Sequence, residues 1–285
     1  MTSSRTHAQG RIRLALCAET LGESDFPTQC AFARELGYEG LELAPWRLGP
    51  EPRHVPSERR REWRRVAEEE GIAITGFHYA LVSPPGLSIT SADPALRART
   101  LEVMKGLCEL CADLGGAYVV HGSPEQRRLE QGDEEACRCR GAEAYAQAGK
   151  FAAAAGITYL IEPVRPSRTP FINTVAEAAE IVHAAGNPAL RTMLDCCSGA
   201  QAETQPLDHI LDRWLPGGMI AHVHANDPNL RGPGEGDLRF ARIFAALRRN
   251  AYDGWVAVEP FVFQPDSRSC AARAAGYLRG LLEAS

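Results

Sequence analysis

The stretch KFAAAAGITYLIEPV, Lys150 to Val164, holds the unit from which the fold is read. Apolar residues at helical spacing run up to Ala155, Gly156 interrupts them, TYLIE follows, and the run ends on Glu162 before a proline. A glycine just past a helix accepts the left-handed backbone of a C-terminal cap. A short apolar run rich in β-branched and aromatic residues reads as a buried strand. The same unit recurs along the chain. Strand-like runs are IRLALCA (Ile12 to Ala18), GLEL (Gly40 to Leu43), AITGFH (Ala73 to His78) and AYVVH (Ala117 to His121), then TYLIE (Thr158 to Glu162), RTMLD (Arg191 to Asp195), IAHVH (Ile220 to His224) and WVAVE (Trp255 to Glu259). Helical patterns fall between them at Glu58 to Glu70, Pro94 to Leu114, Glu134 to Ala155 and Thr174 to Ala185, with glycines 37, 71, 115, 156 and 186 at helix ends. Strand then helix, repeated about eight times, predicts an α/β protein whose parallel sheet closes into a (β/α)8 TIM barrel. An open doubly wound sheet is the alternative, but no glycine-rich phosphate fingerprint follows the first strand. The expected organisation is one barrel domain over residues 11–285 behind a loose tail of residues 1–10.

Composition agrees with a single large core, with 45% hydrophobic and 24% charged residues in 285. A net charge of -5 provides no broad basic field, so nucleic acid is not an expected partner. No segment has the length of a membrane span, and MTSSRTHAQG lacks the apolar centre of a secretory signal. Nine scattered cysteines, mostly in apolar runs such as LCELCADL, read as reduced buried thiols in a cytoplasmic protein. Cys137 and Cys139 fall in a predicted helix where their side chains diverge. SERRREWRRVAEEE reads as a solvated helix face whose charges pair at helical spacing.

The chemistry is concentrated at the strand ends. Runs three to eight close on His78, His121, Glu162, Asp195, His224 and Glu259, and in a closed barrel such ends converge on one mouth. Two glutamates, an aspartate and a histidine on successive strands form an oxygen-rich set suited to Mn2+, Mg2+ or Co2+. Without a cation these carboxylates would repel one another. A single carboxylate at a strand end is as often a helix cap or a surface charge. Glu162 and Glu259 stand apart because each follows an apolar strand and precedes a proline. His222 shares a strand face with His224 and competes with it as a ligand. His224 is preferred as the nearer to the mouth. His78 and His121 are expected to hydrogen-bond substrate rather than metal.

In order along the chain, LIEP, MLD, HVHANDPNLRGPGEG and WVAVEP, with the weaker GFHYAL and VVHGSPEQR, resemble the xylose-isomerase-like barrel superfamily, the sugar isomerase/epimerase group that includes ketose 3-epimerases and hydroxypyruvate isomerase. The resemblance implies one divalent ion, manganese first and magnesium, cobalt or zinc after it, held by Glu162, Asp195, His224 and Glu259. It implies that Glu162 and Glu259 are the catalytic acid and base, taking a proton from a hydroxy-carbonyl compound and returning it through an enediolate. A sugar-like substrate and a homodimer or tetramer are further expectations. Arg231 is expected to fold back over the mouth to substrate oxygens, with GPGEG as the permitting turn. Asn226 and Asp227 are expected to cap the next turn or to hold His224.

The chain also departs from the ketose epimerases. Their strand-five glutamate is followed by an Asn-Arg pair and a second glutamate; EPVRPSRTPFINT has Arg165, Pro166 and Arg168 at those places. Where many relatives have a histidine after the strand-six aspartate, DCCSG offers Ser198. Ser198 and Arg168 are therefore expected at the substrate, with Arg165 or Arg168 meeting an acidic or unusual group. The missing histidine also argues against the related three-zinc abasic-site endonucleases. Cys196 and Cys197, read as neighbouring strand residues on opposite faces, are assigned to packing. The loop LVSPPGLSITS, Leu81 to Ser91, is expected to cover the site, to form an inert rim or to join an interface. A metal-dependent lyase on the same frame and a non-catalytic sugar-binding barrel are the rival functions.

Overall fold

The structure, a computed structural model, describes residues 10–284; apart from Gly10, the expected N-terminal tail lies outside them. Eight parallel strands close in sequence order into a barrel: β1 (Ile12–Cys17), β2 (Gly40–Leu43), β3 (Ala73–Phe77), β4 (Tyr118–His121), β5 (Thr158–Ile161), β6 (Leu190–Asp195), β7 (Ile220–Ala225) and β8 (Gly254–Val258). The helices between and after them are α1 (Phe26–Glu35), α2 (Ser57–Glu70), α3 (Pro94–Asp113), α4 (Glu134–Ala155), α5 (Val175–Ala185), α6 (Cys196–Ala202), α7 (Leu207–Trp214), α8 (Phe240–Arg249) and α9 (Ser267–Glu283). Closure comes from β1 pairing β8 over five residues, Ile12 with Gly254 through Leu16 with Val258. All five glycines expected at helix ends have positive φ. At Gly156 the residue caps α4 at φ 73°, and β5 begins two residues later.

Two apolar layers result from the two-residue period of the strands. The larger lies between sheet and helices and contains, among others, Leu16, Leu41, Phe77, Tyr159, Ile161 and Val223. The smaller fills the barrel and contains Ala15, Cys17, Tyr118, Val120, Leu160, Met193, Trp255 and Ala257. Glu42, His222 and His224 lie fully buried as well, so the interior becomes ionisable towards the mouth.

Three strands stop one residue before their ionisable end, so His78, Glu162 and Glu259 stand just beyond β3, β5 and β8. Cys196 and Cys197 do not lie on a strand; they open α6, and the opposite-face argument does not apply. Both are buried all the same, and all nine cysteines are free. Among the described residues no helix is long and apolar enough to cross a membrane.

Candidate active site at the barrel mouth

Strand register assembles the site. Asp195 pairs with His224, and His224 with Ala257, which sets the ends of β6, β7 and β8 side by side. The next residues are held by the last sheet hydrogen bonds: the Glu162 amide donates to the His121 carbonyl and the Glu259 amide to the Ala225 carbonyl, both at 3.3 Å. Glu162, Asp195, His224 and Glu259 can each offer one donor atom such that all four lie within 4.8 Å of one another. Nδ1 of His224 lies 3.0 Å from Glu259 Oε2, 3.9 Å from Glu162 Oε1 and 4.0 Å from Asp195 Oδ2. It is buried without a hydrogen-bond partner among the described residues.

An imidazole nitrogen without a hydrogen-bond partner facing three crowded carboxylates could hold a hard divalent cation. The electrostatics agree. Burial, then the neighbouring Glu259, pushes the Glu162 carboxyl up to about 8, and Asp195 is raised by the same two causes. Burial alone would lower His224, but Glu259 and Glu42 hold it well above the usual imidazole range. A cation would remove the repulsion and take the place of the proton on Nδ1.

The other ring nitrogen of His224 settles which atom faces the site. Nε2 lies 2.9 Å from Glu42 Oε1, and donating a proton there leaves Nδ1 as the free lone pair. Glu42 is fully buried and also accepts from the Tyr118 hydroxyl at 2.6 Å, while its Oε2 lies 2.9 Å from His222 Nε2. Burial alone would raise Glu42, but His222 and His224 hold it well below the usual carboxylate range. His222 therefore sits deeper in the barrel, tilted against Tyr118, and His224 is the residue at the mouth.

Asn226 acts on the carboxylates rather than on His224. Its Nδ2 donates to Asp195 Oδ2 at 2.6 Å and to Glu259 Oε2 at 3.4 Å, and its Oδ1 accepts from the Cys197 amide at 2.8 Å. Asp195 is both a site residue and a helix cap, since Oδ1 accepts from the Ser198 amide at 2.6 Å at the start of α6. Asp227 pins the following loop by accepting from the Leu238 amide at 3.1 Å.

The carboxylates open into a cavity of about 400 Å3, within the range of small-molecule sites. Its lining includes Glu162, Asp195 and Glu259, the expected Ser198 and Arg168, and Arg165. From the 81–91 loop only Val82 borders it, half-exposed, while Leu81, Leu87 and Ile89 are buried in the core. The loop is thus mostly rim.

Three expected substrate contacts are not at the cavity wall. His121 points the other way: Tyr118 and Val120 of β4 face the barrel interior, so His121 faces the helices. Its Nδ1 lies 3.0 Å from the Tyr159 hydroxyl, and burial, then Arg127, lowers it to about 3. Arg231 is captured before it reaches the mouth, because Glu235 is buried and takes the Arg231 guanidinium at 2.9 Å and Arg273 beside it. His78 lies beneath the mouth, buried, with Nε2 2.7 Å from Glu19 and Nδ1 3.4 Å from Glu42. Burial alone would lower it, but Glu19 and then Glu42 carry it up to about 9.

Sequence reasoning missed Glu42, Glu19 and Gly122. The acidic residue inside GLEL was the available signal for Glu42, since a carboxylate in the middle of a buried strand needs a partner. Gly122 had none. A Cβ there would overlap Glu162 Oε2 and lie 2.5 Å from the carboxyl carbon, so the glycine is the space the carboxylate occupies.

Comparison with known proteins now decides the family, because a family model described as xylose isomerase-like TIM barrel matches residues 30–281. The chain belongs to the xylose isomerase-like TIM barrel family. Among curated proteins it is similar to the D-psicose 3-epimerase of Ruminiclostridium cellulolyticum, 25% identical over 247 residues, covering 84% of this chain and 80% of the relative. It is also similar to the 2-oxo-tetronate isomerase of Cupriavidus necator, 30% identical over 132 residues, 45% of this chain and 49% of the relative. A solved D-psicose 3-epimerase with D-tagatose from Clostridium cellulolyticum H10 superposes with a TM-score of 0.82 at 20% identity, covering 95% of this chain and 99% of that one. At that identity the superposition speaks for the barrel alone. The fold expected from the sequence, and the isomerase-like family, are both borne out.

Proposed function

We propose that this xylose isomerase-like barrel is a divalent-metal-dependent isomerase or epimerase of a small sugar or sugar-derived hydroxy-carbonyl compound. The observation that carries the reading is the convergence of Glu162, Asp195, Glu259 and the partnerless Nδ1 of His224 on one point at the cavity floor. The ion, with manganese the first candidate, would be held by these four residues. When bound, it supplies positive charge beside the two oxygens of the substrate as an enediolate develops. The similarity to sugar epimerases and to a 2-oxo-acid isomerase supports the reaction class.

The chain's own residues provide the rest. Glu162 and Glu259 come from strands on different sides of the cavity floor, so one carboxylate removes the proton beside the carbonyl and the other returns it. Asn226 bridges Asp195 and Glu259 and fixes their orientation. Glu42 sets the tautomer of His224. Val82 and Phe261 form apolar edges to the cavity that limit water at the reacting carbon.

The test is elemental analysis of purified protein beside Glu162→Gln, followed by solvent deuterium exchange into hydroxy-ketones with Glu162→Gln and Glu259→Gln as controls. About one manganese-type ion per chain and exchange lost in both variants is the expected result. Product analysis separates isomerisation, which conserves mass, from elimination by a lyase. Three zinc ions would favour nuclease chemistry. Failure to take up any of a panel of divalent ions would leave a sugar-binding barrel.

A further inference from the structure

Of the residues lining the cavity, two are cations, Arg165 and Arg168, and neither forms an ion pair among the described residues. Among the described residues the single hydrogen bond of the Arg165 side chain is with Cys197 Sγ, at 3.5 Å. The Arg168 side chain has none among the described residues, and it is exposed. Exposed arginines such as Arg59, Arg61 and Arg99 also lack an ion pair among the described residues; Arg165 and Arg168 differ from them in lining the cavity. Arg47, Arg60, Arg140, Arg231 and Arg242 are each paired with a carboxylate. Glu125, the remaining acid on the wall, is taken by Arg128 outside the cavity.

The backbone holds both guanidinium groups on one short support. The Arg168 amide donates to the Arg165 carbonyl at 3.0 Å, which closes a β-turn with Pro166 at its second position. Proline presets φ there, and the first and fourth residues of such a turn lie within about 7 Å of each other. The turn is clamped at both flanks by Asn173, whose Nδ2 donates to the Val164 carbonyl at 2.6 Å and to the Thr169 carbonyl at 2.8 Å. A further bond runs from the Val164 amide to the Ile172 carbonyl at 3.1 Å. Two cations without carboxylate partners thus stand on a preorganised turn three and six residues after Glu162, facing the cavity that Glu162 floors. An anionic group arriving there would find charge already in place and little to reorganise.

We infer that the substrate carries an anionic group, a carboxylate or a phosphate, remote from the reacting hydroxy-carbonyl end and bound by Arg165 and Arg168. This rests on the isomerase reading for the reacting end. Ser198 and Gln126 border the same cavity, and the Gln126 side-chain oxygen is buried without a partner among the described residues. The substrate class is then a hydroxy-keto acid or a sugar phosphate in place of a neutral ketose.

The test uses the full chain loaded with manganese and a set of ketoses offered in three forms: the neutral sugar, its terminal phosphate and its terminal carboxylate. D-fructose, its 6-phosphate and D-fructuronate are one such trio. Solvent deuterium exchange is expected to show kcat/KM at least about tenfold higher for one anionic form than for its neutral counterpart. In Arg165→Gln and Arg168→Gln that ratio should collapse towards one, chiefly through KM. Preference for the carboxylate or for the phosphate identifies which anion the turn serves. Neutral sugars handled as well as their anionic forms, or a preference surviving both substitutions, overturn the inference. Protection against thermal unfolding by the same compounds reports binding without turnover. Protection through the arginines without exchange would therefore sink the isomerase reading and keep the anion site, whereas exchange without anion preference would do the reverse.

Discussion

Gly122→Ala isolates the positioning of Glu162 from its chemistry. The added Cβ would overlap Oε2 and lie 2.5 Å from the carboxyl carbon, and ordinary contact begins at 3.4 Å. The carboxyl carbon must therefore retreat by at least about 0.9 Å, and Oε2 by more, beyond the ~0.5 Å within which a catalytic group has to be held. The colliding atoms are the far end of a flexible side chain, and φ at 122 is not in the left-handed region, so the fold tolerates the change. Loss of glycine freedom in the unfolded chain even contributes about 0.4–1 kcal/mol of stability. Activity should nonetheless fall about 100-fold, the typical result of a misplacement near 1 Å, and metal occupancy should fall with it. The assay combines thermal unfolding, metal content and deuterium exchange, with Gly217→Ala as control because a Cβ there meets nothing within 4 Å. A Gly122→Ala protein with normal metal content and exchange rate would refute the placement of Glu162 at the reacting centre. A protein that fails to fold would refute the account of the glycine.

Other expectations follow from the same geometry. Glu42→Gln keeps the shape but removes the charge that holds the His224 tautomer, so metal affinity should drop about 10- to 100-fold in competition with a chelator; unchanged affinity would show that Glu42 only fills the barrel. In metal-free protein the Glu162 carboxyl is pushed up to about 8 and His78 to about 9, both above their unfolded values. The stability these two groups contribute is fully present below their unfolded values and is lost as pH rises to about 8 for Glu162 and about 9 for His78, so the metal-free melting temperature should fall between about pH 5 and pH 9. A melting temperature that rises there would contradict it. Because a cation must displace the Glu162 proton, metal affinity should increase from pH 6 to 8, read by titration at fixed ionic strength. Arg231→Ala should leave KM within about twofold and cost about 1 kcal/mol, since the Glu235 carboxylate keeps Arg273 and the Gly232 amide but loses one of its two cations; a tenfold rise in KM would place Arg231 on the substrate instead.

The sequence by itself determined the barrel, because the signals that define it are local. Each apolar run of period two and each glycine after a helical pattern carries its own meaning, and β5 and α4 lie within one residue of where TYLIE and Glu134 to Ala155 put them. It also determined which residue types crowd the mouth, because Glu162, Asp195, His224 and Glu259 stand at or within one residue of the ends of four consecutive strands. Parity along β4 needed an anchor: AYVVH is apolar on both faces, and only once the structure turns Tyr118 and Val120 inward does counting place His121 towards the helices. What only the tertiary structure decided depends on residues far apart in the chain. Glu42 meets His224 across 182 positions, and Gly122 makes room for a carboxylate forty residues later. Arg231 is lost to Glu235 because burial of that carboxylate demands cations, and local spacing cannot reveal which acids will be buried. Periodicity reports which face a side chain takes; the partner it meets there is fixed only when the eighth strand closes on the first.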